Sequence, residues 1–559
     1  MMQRFWTKSY LEGTATEVTV PPQPLYHILD DAAARFGDFD LLDFLGKTYS
    51  YRAVKKQSDQ VAKGLQKLGI GKGDKVGLFL PNSPYAVICY YGILKAGATV
   101  VNYNPLYVER ELIHQIKDSE TSVMMTMDLG LMMDKIKNLL PEVPLKKVVI
   151  CPMGEILPFP KNILFSLLKR KDLRPMPEDA RYITYGQLID NDGLYAQMHM
   201  DAKSDIAVLQ YTGGTTGVPK GAMLSHHNLY ANALQVGSWL KDAQAGIDSQ
   251  IGVLPFFHVF AMTAVMNLSI IKGLKIYLQP KFEVKAVLKL IQQKRPRYFL
   301  GVPAIFAALA NDDTIGRYDF SCFKYCLAGG APLAFEVKRH FEEKTKCKVL
   351  GEGYGLTEAS PVVCANPVDA ARVRIGAIGL PLPSTEVKFV STEDRMTEVP
   401  LGEKGELCVK GPQVMMGYYK KPEATAEVIK DGWLHTGDVG YIDQDGFVFL
   451  VDRIKDLILV RGYNVYPRMI EEAIYKHPST EECIVAGVPD AERGESVWAW
   501  VKLRAGHTVS EEAMQNFLND YISPIEMPRK IIFKDKPLPK TAVGKLSRKD
   551  LLIQEGIKK

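Results

Sequence analysis

The chain has eight cysteines in 559 residues and no CxxC pair among them. This argues against a zinc site and a disulfide scaffold, so Cys89, Cys151, Cys322, Cys326, Cys347, Cys364, Cys408 and Cys483 read as reduced thiols, mostly core filler, of a cytoplasmic protein. Long apolar runs are lacking too. The stretches 85-YAVICYYGIL-94 and 259-VFAMTAVMNLSII-271 are too short to span a bilayer and read as buried helices, and the start MMQRFWTKSYLEGTA has no signal-peptide h-region. No sign of charge dominates: 69 basic against 64 acidic residues give a formal +5, with lysines and acids interleaved, which gives nucleic-acid binding little support. A Walker A loop is also missing. In 211-YTGGTTGVPKGAMLSHHN-228, Gly213 and Gly214 are followed at the Walker spacing by Val218 and Pro219, so a Walker-type NTPase is disfavoured.

What is present is an ordinary globular composition, 47% hydrophobic and 24% charged, on a chain too long for one compact core. From about 50 to 104, a helix-like segment placing Val54, Val61 and Leu65 on one face precedes the strand 75-KVGLFLPN-82, the Pro-led helix 84-PYAVICYYGILKAGA-98 and the strand 99-TVVNYNP-105, an α/β unit. KIYL, RYFLGV, KYCLAGG and KVLGEGYG are later short strands running into Gly- or Pro-containing loops, where ligands of open α/β sheets tend to sit. From about 400 the strands shorten, and the Pro-led helix 467-PRMIEEAIYKHP-478, the strands ECIVAGV and SVWAWVKL and the helix 510-SEEAMQNFLNDYI-522 mark a compact α+β module. The boundary falls at 452-DRIKD-456. The expected architecture is therefore a large N-terminal α/β domain of stacked sheets and helices over 1–452, a hinge at 453–456 and a smaller, mobile α+β domain over 457–559. Between 156 and 175, Ile163, Leu164, Leu167 and Leu168 share a helical face that ends in Lys169, Arg170 and Lys171. Two readings stay open: a helix resting on an anionic bilayer, or an insertion packed on the domain surface.

The loop 211–228 frees backbone amides at Gly213, Gly214 and Gly217, adds the hydroxyls of Thr212, Thr215 and Thr216, and brings Lys220. Alone it reads equally as a polyphosphate cradle and as a plain turn between strands. Together with 351-GEGYGLTE-358, 432-GWLHTGD-438, 452-DRIKDLILVRGYNVYP-467 and 538-LPKTAVGK-545, all in order, the chain resembles the adenylate-forming superfamily of acyl-CoA synthetases, adenylation domains and luciferases from about residue 25 to its end. It looks most like bacterial long-chain fatty-acid CoA ligases.

The resemblance implies the following roles. The loop from Thr212 to Lys220 would grip the β- and γ-phosphates of ATP, Thr357 would be a catalytic and ATP-binding residue, and Glu358, also catalytic, would hold Mg²⁺, since a hard cation takes carboxylate and phosphate oxygens. Tyr354 would stack on adenine between Gly353 and the turn of Gly329, Gly330 and Ala331, while Asp438 would hold the ribose hydroxyls with Arg453 as its partner. Lys545 would bridge the carboxylate and the α-phosphate during adenylation, a task for a flexible point charge. The small domain would then turn at Lys455, and Arg461, Gly462 and Tyr463 would arrive to form the CoA tunnel. His258 would gate the acyl pocket, and Gly355, where acetate-type relatives carry tryptophan, would admit a medium or long chain.

A carboxylate is a poor electrophile, so this chemistry first makes acyl-AMP and pyrophosphate from ATP and then lets a thiol attack the mixed anhydride. The implied partners are fatty acid, ATP and CoA, with no nucleic acid. Self-association as a homodimer and peripheral placement on the inner membrane face stay open. Rival readings are an aryl-CoA ligase, an acyl-AMP ligase loading a carrier protein, and a catalytically silent nucleotide-binding protein. The last would lack Glu358, Asp438 or Lys545, and all three are present.

Overall fold

A computed structural model describes residues 4–212, 219–461, 463–490, 492–541 and 545–557. Most of the chain up to residue 450 shares one apolar core. Two sheets dominate it. In the first, of nine strands, Ser249–Gly252, Lys275–Leu278, Tyr298–Gly301, Tyr325–Ala328 and Leu350–Gly355 run parallel, with antiparallel pairs at both edges. In the second, of eight, Lys75–Leu78, Thr99–Asn102, Val123–Met127, Lys147–Cys151 and Ile206–Thr212 are parallel, and Lys220–Ser225 closes a hairpin on Ile206–Thr212. A third sheet carries Trp433–Ile442 against Gly405–Lys410 and Val448–Arg453.

Helix Pro84–Lys95 shows why the apolar runs stay short. Ser83 caps it by accepting the Ala86 N–H, Pro84 sits in the first turn, and every residue is buried, so it is apolar on all sides. Its last residue, Lys95, is buried as well and sits 2.6 Å from Asp30 and 2.5 Å from Asp59. Helix His226–Trp239 follows Lys220–Ser225 of one sheet and reaches the other: Asn232 donates to Val362 O (2.8 Å) and accepts from the Val362 N–H (2.9 Å). The helix expected over 259–271 is present but contains a π segment, Met262–Asn267, where Thr263 donates to Ser360 O (2.7 Å). Such wider turns recur at functional sites, and this one follows His258.

Beyond the 3₁₀ turn Ile454–Asp456, the chain builds separate cores from Ile458 onward. Its sheet joins Tyr463–Val465, Ile458–Val460, Gly494–Leu503 and Thr480–Asp490 antiparallel, with Lys530–Lys534 parallel to Gly494–Leu503. The helices Pro467–Tyr475 and Glu511–Leu518 are each shorter than their sequence patterns. Among the described residues no helix is long and apolar enough to cross a membrane. All eight cysteines are free and buried.

Candidate active site

The candidate residues come from strand ends of all three large-domain sheets and from the small domain. Thr212 and Lys220 face each other at the ends of the hairpin that brackets the Gly/Thr-rich loop. Gly213, Gly214, Thr215, Thr216 and Gly217 of that loop, and Gly462, lie outside the described residues. The short strand Gly417–Tyr418 pairs beside Lys220–Ser225 and delivers Tyr418. The Tyr418 hydroxyl donates to Glu358 Oε1 (2.7 Å), and Lys220 Nζ lies 5.2 Å from the Tyr418 ring centre. One tyrosine thus joins the cation of the phosphate-type loop to the acid of 357-TE-358. Thr357 and Glu358 form a 3₁₀ turn, and the Met415 N–H donates to Glu358 O (2.8 Å). Burial, then Glu358, pushes the Tyr418 phenol up, so it stays a donor.

Tyr354, at the end of Leu350–Gly355, donates to Asp438 Oδ2 (2.5 Å), and Arg453 Nε donates to Asp438 Oδ1 (2.8 Å). Asp438 and Arg453 are cross-strand partners in the third sheet, which explains how residues fifteen apart meet. Beneath them lies a support absent from the sequence reading. Glu406 Oε1 accepts the Gly437 N–H (3.0 Å), Arg395 engages both carboxylate oxygens (2.7 and 2.6 Å), and His435 Nδ1 lies 3.0 Å from Oε2. Burial acts to raise the Glu406 pKa, but Arg395 and then His435 together outweigh it and hold it below the usual carboxylate range. Gly437 takes φ +73°, a left-handed turn suited to glycine, and Glu406 fixes that turn directly before Asp438. Glu406, Cys408 and His435 set ligand-type atoms within 4.8 Å, yet the guanidinium already occupies both carboxylate oxygens, so the cluster is an ion-pair network.

Lys545 is brought to this group from the small domain. A Cβ on Gly330 would lie 3.2 Å from Lys545 Cε and 3.7 Å from Nζ, so the lysine stem runs across the Gly329–Gly330–Ala331 turn, where Gly330 takes φ +82°. Burial, then repulsion from Arg453, lowers the Lys545 pKa to about 8, with Asp438 opposing. His258 is pushed down to about 3 by burial and then by Lys545, and its Nδ1 accepts the Phe260 N–H (3.3 Å). His258 is therefore neutral. Gly353 packs on Leu327, its Cβ position 3.0 Å from that side chain. A Cβ on Gly355 would meet Pro361 O at 2.3 Å, so the backbone of Pro361 forbids any plugging side chain here.

The structure does not bring the remaining residues to this group. Lys455 is exposed in the 3₁₀ turn between the domains. The Arg461 N–H bonds to Arg493 O (2.9 Å) and Tyr463 pairs with Val460, both contacts within the small domain. Arg395, Glu406 and Tyr418 stand outside the recognised motifs. Only the neighbouring GELCVKG and GYYK stretches hint at them, and neither shows which side chain turns inward.

A two-domain scaffold whose small domain inserts a lysine beside an aromatic, an acid and an arginine defines an enzyme that handles a nucleotide. The chain belongs to the AMP-binding enzyme family: the family model matches residues 29–419, and that of the AMP-binding enzyme C-terminal domain matches 469–545. It is 43% identical to a long-chain-fatty-acid–CoA ligase of Bacillus subtilis, covering 99% of this chain and 98% of that one. It is 36% identical to a long-chain-fatty-acid–CoA ligase of Escherichia coli, covering 98% of each. Among solved structures, ATP-bound MatB from Rhodopseudomonas palustris superposes with a TM-score of 0.82 at 28% identity, over 95% of this chain and 99% of that one.

Proposed function

We propose that the protein activates fatty acids of medium to long chain with ATP as acyl-AMP and passes the acyl group to CoA. The observation that carries this reading is Lys545 lying across Gly330 beside Asp438 and Arg453. In that place its ammonium can neutralise charge on the carboxylate and the α-phosphate as the acyl–oxygen–phosphorus link forms and pyrophosphate leaves. Asp438, held by Arg453 and Tyr354, offers acceptor oxygens for ribose hydroxyls. Tyr354 and the Gly329–Ala331 turn line the adenine side, and Lys220 with the Gly/Thr loop takes the departing phosphates.

Glu358 fits Mg²⁺: its Oε1 receives only a phenol hydroxyl, Oε2 has no hydrogen bond among the described residues, and a carboxylate suits a hard cation. When bound, the cation would neutralise phosphate charge. The second step needs Lys545 to leave. The exposed turn 454–456, with separate cores on its two sides, supports a hinge at 453–456, Lys455 as its pivot, and the domains 1–452 and 457–559. Turning there would replace Lys545 by the exposed Arg461–Tyr463 hairpin and Gly462 as the thiol passage. His258, neutral and under the influence of Lys545, would gate the acyl side, with Gly355 kept free of a side chain.

Peripheral membrane contact through 156–175 belongs to the same reading, on the inner face from the cytoplasm. Phe159, Ile163, Leu164, Leu167 and Leu168 are 49% to 79% exposed around helix Lys161–Leu168, beside Lys169, Arg170 and Lys171.

The deciding measurement is AMP release dependent on ATP and CoA over acids graded in chain length and aromaticity. We expect release with decanoate to oleate. Activity on cinnamate-like acids without any fatty acid would reassign the enzyme to aryl substrates.

A further inference from the structure

A carboxylate and a guanidinium meet across the two domains, outside every recognised motif role. Glu352 lies within the strand Leu350–Gly355, directly before Gly353 and Tyr354, and Arg468 stands in helix Pro467–Tyr475, whose Ile470, Ala473 and Ile474 bury in the small domain's core. Both are 7% exposed. Arg468 Nη2 lies 3.9 Å from Glu352 Oε1, and Nη1 donates to Leu450 O (3.0 Å) in the last strand of the large domain. The Arg468 N–H donates to Asp452 Oδ2 (2.8 Å), and Nε to Glu472 Oε1 (3.1 Å). On the other side, Glu352 Oε1 accepts the Leu333 N–H (3.2 Å) from the loop that begins with Gly329 and Gly330. Glu352 therefore touches the loop that continues from the turn under Lys545, precedes Tyr354, and faces the domain that carries Lys545.

We propose that Arg468 and Glu352 are positioning residues for the first half-reaction: the pair seats the small domain in the arrangement that lays Lys545 over Gly330, and it is released for thiol transfer. The proposal rests on reading Lys545 as the adenylation lysine. Its logic is geometric. Arg468 makes three contacts to the large-domain side, to Glu352, Leu450 and Asp452, and a rotation about 453–456 would break the first two at least, because Glu352 and Leu450 lie before the turn. A buried carboxylate whose cation swings away loses stabilisation, so the two charges favour one arrangement over the other.

Burial raises the Glu352 pKa to about 7, with Arg468 opposing; Glu472 and Lys338 are the other charged groups acting on it. Glu352 is thus ionised above about pH 7 and protonated below it. The clasp weakens as pH falls through 7, which places an acid limb on adenylation.

The test measures the half-reactions separately on the full chain: palmitate-dependent ATP–pyrophosphate exchange, and palmitoyl-CoA formation from supplied palmitoyl-AMP. Arg468→Met keeps the stem and removes the charge. We expect exchange to fall at least ~10-fold, thioester formation to stay within about twofold, and Arg468→Lys to recover part of the loss. Glu352→Gln keeps an acceptor for the Leu333 N–H, and it should slow exchange at pH 8 and flatten the acid limb. Equal loss in both half-reactions, or no loss in either, overturns the proposal. If Arg468→Met does not fold, Glu352→Gln decides: unchanged exchange with an unchanged limb overturns it. Lys545→Ala run in parallel separates the two readings. If it too slows both halves equally, the two-arrangement account fails; if it separates them and the pair's variants do not, only the clasp fails.

Discussion

Single side chains here do different work according to their burial. Lys545 is half-buried and its pKa sits near 8, so it is charged at neutral pH and loses its proton as pH rises through 8. Adenylation by the free enzyme should therefore decline on the alkaline side with that midpoint, and a pH profile of kcat/KM for pyrophosphate exchange reads it directly. Lys545→Ala should abolish the limb and lower exchange by at least ~10²-fold, as removing one fixed charge-stabilising donor does, while thioester formation from supplied acyl-AMP persists. Lys95 is the contrasting case: its side chain is 0% exposed, and it neutralises Asp30 and Asp59 inside the large domain, far in sequence from any motif. Lys95→Met removes the buried cation and leaves the two carboxylates only Lys55, which is 38% exposed and lies 2.7 Å from Asp59 and 3.9 Å from Asp30. Urea unfolding of the large-domain transition should show a loss of ~2 kcal/mol, and a change under ~1 kcal/mol would mean that Lys55 alone suffices for both acids.

Elements differ in how plainly the sequence announces them. The parallel strands were legible because buried strands are short apolar runs bounded by Gly or Pro, as in Lys75–Leu78 and Tyr325–Ala328. Helix Pro84–Lys95 was legible from its Pro start, but nothing in the sequence marks Lys95 as more than a cation at a helix end. The π segment Met262–Asn267 was invisible because every residue around it is buried, so no periodicity separates one helix type from another. Tertiary register hid the rest of the site. Asp438 and Arg453 are legible as partners from the motifs, yet the Glu406–Arg395 support depends on the pairing of Glu386–Val390 with Gly405–Lys410, which spacing alone does not give. The helix Lys161–Leu168 was legible as amphipathic, and its exposed leucines suit a bilayer. Leu167→Glu with Leu168→Glu should lower co-sedimentation with phosphatidylglycerol-containing vesicles at least ~10-fold, because two buried leucines contribute roughly 1.5–3 kcal/mol each, and leave activity on dispersed decanoate unchanged. Equal binding by the double variant would assign the segment to packing alone.

At the scale of the whole molecule, the arrangement with Lys545 over Gly330 is the one proposed for adenylation. Arg461 and Tyr463 face solvent at the same time that Lys545 covers the site, so both half-reactions cannot use this one geometry if the thiol enters along that hairpin. The turn Ile454–Asp456 is the short connection between separately packed cores, and Lys455 is exposed within it. Proline fixes φ and removes an N–H, so Lys455→Pro restricts the dihedrals that a rotation must change while touching neither core. Exchange should stay within about threefold of the parent, since the arrangement proposed for adenylation is already formed, whereas thioester formation from supplied acyl-AMP should drop by at least ~10²-fold, the size expected when a conformational step is blocked. A variant that loses both steps equally would place the pivot elsewhere in 453–456, and one that loses only exchange would mean that proline has displaced the domain from the arrangement that Arg468 and Lys545 require.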